Sequence, residues 1–76
     1  MTKQEAQKRL TNRISKMSND MIIAVLKDMA KPWDKYTQEE RMVKAYLYHE
    51  YELRNGEEAV DMLLDVIEAI EESKRK

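Results

Sequence analysis

The sequence predicts an all-α fold, a compact bundle of four short helices. Three observations lead there. A single glycine and a single proline in 76 residues leave long stretches without a helix breaker. Good helix formers (Ala, Leu, Glu, Lys, Arg, Gln and Met) dominate the composition. Apolar residues recur at three- and four-residue spacing, and no segment alternates apolar and polar with β-branched enrichment. The expected organisation is one helical domain over residues 1–76, with helices at about 3–17, 19–30, 38–54 and 57–73.

The first helix carries a narrow stripe of Ala6, Leu10, Ile14 and Met17 on an otherwise polar surface, which suits a peripheral helix. Ser18-Asn19-Asp20 offers N-cap residues for the second, whose face is Ile22, Val25, Leu26 and Met29, widened by Ile23 and Ala30. Pro32 disfavours helical geometry at Lys31 and stops that helix near Ala30. Residues 31–36 read as a loop, in which Trp33 is expected to fold back as a lid on the core. Thr37 and Glu40 then form a capping box that starts the third helix at Gln38.

That third helix has two apolar rows, Met42-Tyr46-His49-Leu53 and Val43-Leu47-Tyr51, so it is expected to be central, with His49 half-buried in the packing. Glu50 and Arg54 lie between the rows at a pairing distance of four residues. Asn55-Gly56 is a stop signal. The fourth helix presents Val60, Leu63, Ile67 and Ile70, with acids at its start and Lys74-Arg75-Lys76 at its end, both complementary to the helix dipole. The alternative is three helices with 38–73 continuous, because Tyr46, Leu53, Val60 and Ile67 keep a seven-residue phase across the joint. The expected core is Leu10, Ile14, Met17, Ile22, Val25, Leu26, Met29, Val43, Tyr46, Leu47, Leu53, Val60, Leu63, Ile67 and Ile70.

Several functions are disfavoured. No cysteine is present, so disulfides and thiolate metal sites are excluded, and no metal or cofactor is expected. His49-Glu50-Tyr51-Glu52-Leu53 begins like a zinc-protease motif, but Leu53 stands where the second histidine is needed. One glycine cannot build a phosphate-cradling loop, and nothing brings Ser15, Ser18 or Ser73 to His49, so the expectation is a non-enzymatic protein. Neither a signal-peptide core nor a membrane span is seen, and the expected setting is cytoplasmic with no membrane partner.

Charge is uneven although the net value is −1. The stretch 1–17 is +4 and the stretch 57–76 is −4, so helix 1 is expected to dock on acidic helix 4. Asp61, Asp65, Glu68 and Glu72 form an acidic stripe, read as a solvated face. The residues expected to touch a partner are Trp33, Tyr36, Tyr48 and Glu50, together with basic Lys8, Arg9 and Arg13. Tyr48 falls off both apolar rows and is the aromatic least explained by packing. The leading expectation is a protein-binding accessory factor (adaptor, inhibitor or modulator), with homodimerisation as a further expectation for a small, Met-rich core. The alternative is a nucleic-acid-binding regulator using helix 1; it is weaker because the chain is near neutral and Gln38-Glu39-Glu40 would meet phosphate at the start of helix 3.

Overall fold

The computed structural model describes residues 2–75 and contains four α-helices: α1 (Lys3–Ser15), α2 (Asn19–Met29), α3 (Gln38–Asn55) and α4 (Glu57–Ser73). A single 3-10 turn, Trp33–Lys35, lies between α2 and α3. The third helix is central and packs against each of the other three, and α2 also packs on α4. No strand occurs among the described residues.

Local chemistry sets the boundaries. Thr2 caps α1 and Ser18 caps α2, each hydroxyl accepting from the backbone N–H three residues on. The capping box of α3 is complete: Thr37 Oγ1 accepts from the Glu40 N–H at 3.1 Å, and Glu40 Oε1 accepts from the Thr37 N–H at 2.9 Å. The first helix stops two residues short of its apolar stripe, because Lys16 and Met17 fold back onto the carbonyls of Arg13 and Ile14 to make the turn into α2. The dipole-complementing role expected of Lys76 lies outside the described residues. Lys74 stands at the C-cap of α4, and its ammonium also donates to the Ala30 carbonyl at 2.7 Å, at the end of α2.

Helices α3 and α4 are separate, which removes the continuous-rod alternative. Gly56 sits at φ 94° and ψ 171°, a region essentially reserved for glycine. Its N–H donates to the Glu52 carbonyl at 2.8 Å, and its own carbonyl accepts from Val60 at 3.2 Å. One residue therefore ends one helix and begins the next.

The core is Ile14, Ile22, Leu26, Leu47, Leu63 and Ile67, with Leu10, Met17, Val25, Met29, Val43, Tyr46 and Ile70 partly buried against it. Val60, Ala30 and Tyr36 are buried as well. Each fully buried aliphatic side chain contributes about 1.5–3 kcal/mol. Leu53, expected in the core, is 68% exposed, and His49 is exposed as well. Both continue the Met42-Tyr46 row of α3, but no neighbouring helix covers them.

The docking of α1 on α4 is not what the structure contains. The apolar stripe of α1 packs on α3, and Arg54 fastens its end there: Nη2 donates to the carbonyls of Ile14 (3.2 Å) and Ser15 (3.0 Å), and Nη1 to that of Met17 (2.5 Å). Glu50 holds Arg54 Nε at 3.0 Å, as the spacing predicts. Apolar contact and a multiply bonded guanidinium outweigh attraction between exposed charged faces, since an exposed pair contributes only about 0–1 kcal/mol.

A Cβ added at Gly56 would meet nothing within 4 Å, so the cost of a substitution there is that of the backbone alone. Gly56→Ala should lower stability by about 1–2 kcal/mol, read from a shifted midpoint in denaturant unfolding. An unchanged midpoint would mean that the positive φ does not constrain the joint.

Candidate functional site

The end of the bundle where α2 stops and α4 finishes is built around a carboxylate. Glu71 is 6% exposed, the one buried charged residue among those described. Its Oε2 accepts from the Tyr36 hydroxyl and from Lys44 Nζ. Three parts of the chain converge there: α4 through Glu71, α3 through Lys44, and the 31–36 connection through Tyr36. The Tyr36 oxygen also accepts from the Lys31 N–H at 3.3 Å. Lys44 Nζ lies 4.4 Å from the centroid of the Tyr36 ring and 5.8 Å from that of Tyr48, so both rings share the cation.

Outside this knot, Lys31 Nζ meets Glu40 Oε2 at 2.5 Å, tying the loop to the first turn of α3. Lys31 and the capping contacts from Thr37 hold the Glu40 carboxyl down at about 2. Burial, then the hydrogen bond to Glu71, pushes the Tyr36 hydroxyl up to about 12. Burial, then the negative charge of Glu71, raises Tyr48 well above the ordinary tyrosine value. The Tyr48 hydroxyl is buried and has no hydrogen-bond partner.

The knot supports a groove on the surface. Trp33, Tyr36, Arg41, Lys44, Ala45, Tyr48 and Leu64 line an open depression of about 420 Å³ between the 3-10 turn, α3 and α4. Trp33 stands at its rim and is 64% exposed, so the lid expected from the sequence is not formed. The turn is too short to carry the indole back over the core, and Tyr36 takes the buried place instead, at 7% exposure. The Lys35 N–H donates to the Pro32 carbonyl at 2.8 Å, which fixes the turn. Arg75 lies 6.0 Å from the Trp33 ring centroid and 4.0 Å from Asp34.

The structure therefore brings Trp33, Tyr36 and Tyr48 together, three of the residues expected to touch a partner. Tyr36 is mainly a core residue, and Tyr48, although off both apolar rows, is half-buried against the core. Glu50 is elsewhere, engaged with Arg54. Lys8, Arg9 and Arg13 are exposed along α1, away from this groove. Sequence reasoning missed Glu71 and Lys44. Glu71 had a signal: it continues the row Leu63-Ile67 by another four residues, on the buried face of α4. Among the described residues, no group of three or more His, Asp or Glu side chains converges as a cation site requires. Likewise, no described helix is long and apolar enough to cross a membrane.

Fold and site together define a class: a small all-α bundle with a solvent-facing aromatic and cationic groove. Neither a protein-family model, nor a curated protein, nor a solved structure matches the chain.

The raised pKa of Tyr36 has a definite sign. The folded state holds that proton more tightly than the unfolded chain, so the contribution is complete below about pH 10 and is lost as pH rises toward 12. Unfolding measured at stepped pH should show stability falling above about pH 10, and Tyr36→Phe should flatten part of that fall. Glu40 has the opposite sign: its contribution is present above the ordinary value near 4.3 and is lost as pH drops toward 2. Glu40→Gln should flatten the acid limb; an unaltered limb would remove Glu40 from the account.

Proposed function

We propose that the chain is a non-enzymatic protein-binding accessory factor (an adaptor, inhibitor or modulator) whose contact surface is the Trp33 turn and the groove beside it. The observation that carries this reading is Trp33, a large aromatic left 64% exposed on a turn braced at both ends. Binding hot spots are enriched in Trp, Tyr and Arg, and this groove offers exposed Trp33 and Arg41 beside half-buried Tyr48, with buried Tyr36 in its lining. The buried knot beneath engages Tyr36 and Tyr48 through Lys44 and Glu71, and holding them in place lowers the ordering cost of association. Arg41 gives the rim a cation for a carboxylate of the partner.

A second reading is favoured by one observation. Because α1 packs on α3, its Lys8, Arg9 and Arg13 stay exposed and form no ion pair among the described residues, which leaves these cations for nucleic-acid phosphates.

The two readings separate in a tagged pull-down from native lysate, with and without nuclease, using the unaltered chain, Trp33→Ala, and a triple alanine variant of Lys8, Arg9 and Arg13. A protein retained after nuclease, kept by the triple variant and lost with Trp33→Ala, is the expected result. Affinity for that protein should fall about thirty-fold or more in Trp33→Ala, with fold stability within about 0.5 kcal/mol. A catch that vanishes with nuclease and with the triple variant would replace the first reading by the second.

A further inference from the structure

Helix α4 has a second apolar strip that the fold does not use. Its core row runs through Val60, Leu63, Ile67 and Glu71. Ala59, Met62, Val66 and Ala69, followed by the small polar Ser73, recur at steps of three, four, three and four, the spacing of a coiled-coil seam. This strip faces out: Met62 is 70% and Val66 46% exposed, and Ala69 and Ser73 are exposed too. Ala59, Met62 and Val66 line a depression of about 310 Å³ with Ile23 and Lys27 of α2 and with Tyr51.

One margin of the seam is acidic, and the other presents a single cation beside the depression. On one side stand Glu58, Asp65 and Glu72 at seven-residue spacing along α4. On the other is α2, which presents Lys27 at the edge of the depression. Asp65 and Lys27 are both exposed, and neither forms an ion pair among the described residues.

We propose that a second copy of this chain covers the seam, with the two α4 helices parallel about a two-fold axis. In a parallel pair each acidic margin meets the opposite margin of the partner helix, and so the face that carries Lys27. Two Asp65–Lys27 pairs then form symmetrically, one at each side of the joined Met62 and Val66 side chains. An antiparallel pair would set the acidic margins against each other, Asp65 beside its own counterpart, which like charges oppose. Small residues at Ala59, Ala69 and Ser73 allow close approach of the backbones toward the two ends. This surface lies on the α2 side of α4, and the Trp33 groove lies on the α3 side, so the inference does not depend on the function proposed above.

The test is molar mass by sedimentation equilibrium over a wide concentration range, with helicity checked by circular dichroism. The unaltered chain should pass from one to two chains per particle as concentration rises. Met62→Glu should stay at one chain with helicity intact, since that side chain is mostly exposed. Asp65→Lys should weaken the dimer roughly ten-fold by setting like charges together at two places. The chain has no cysteine, so Ala69→Cys introduces a unique thiol at a position that meets its own counterpart only in the parallel arrangement. Under mild oxidation it should cross-link, and adding Met62→Glu should abolish the cross-link. A single-chain mass at every concentration overturns the proposal, as does a dimer that Met62→Glu leaves unchanged. A dimer that Asp65→Lys tightens, or in which Ala69→Cys fails to cross-link, overturns the parallel arrangement.

Discussion

The buried carboxylate of Glu71 is the constraint on which the candidate site of this molecule depends. A charge removed from water is costly unless it is paired and hydrogen-bonded, and Glu71 has both a cation in Lys44 and a hydroxyl in Tyr36. Satisfying it fixes three chain segments relative to one another. The 31–36 connection has no helix of its own beyond a single turn, so its path follows from where the Tyr36 hydroxyl must go. With Tyr36 drawn inward, Trp33 is left on the outside, and the groove between the turn and α3 takes its shape. A polar knot of this kind is unforgiving: removing one partner of a buried pair costs about 3–5 kcal/mol because the other is stranded.

Most of the fold was legible in the sequence because its signals are local. The Thr37–Glu40 box, the Ser18 cap, Pro32 and Asn55-Gly56 each act within a turn of themselves, and the helices begin and end within two residues of where those signals put them. The core rows of α2 and α4 were legible for the same reason, since their periodicity is strong. The α3 face was less so. Leu53 and His49 continue an apolar row by spacing, but burial depends on whether a neighbour extends over that edge, which spacing does not encode. The site was legible as residue types and not as an arrangement. Trp33, Tyr36 and Tyr48 could be named, whereas the partnership of Glu71 with Lys44 spans 27 residues and depends on tertiary placement. The expected attraction between basic α1 and acidic α4 failed because net segment charge ignores which helix faces are already committed to apolar contact.

The fourth helix is the busiest element in the bundle. One face fills the core and ends in Glu71, one flank helps to line the Trp33 groove through Leu64, and the other carries the outward strip centred on Met62 and Val66. The remaining face is acidic. Such a division explains why the helix is neither purely amphipathic nor purely apolar, and it lets two surfaces be occupied together without competition.

The way α1 is attached has a consequence for how the molecule opens. Helix α1 packs chiefly on α3, and its C-terminal carbonyls are gathered by the single guanidinium of Arg54. The other three helices also pack on one another. Such unequal packing predicts cooperative units of unequal stability: the amides of α2, α3 and α4 should exchange together at the higher free energy, and α1 should detach at a lower one. Its detachment would strip the cover from the Tyr46 side of α3 and release a helix bearing Lys8, Arg9 and Arg13 beside an apolar stripe. The bundle is, in that sense, a three-helix body with a latched arm.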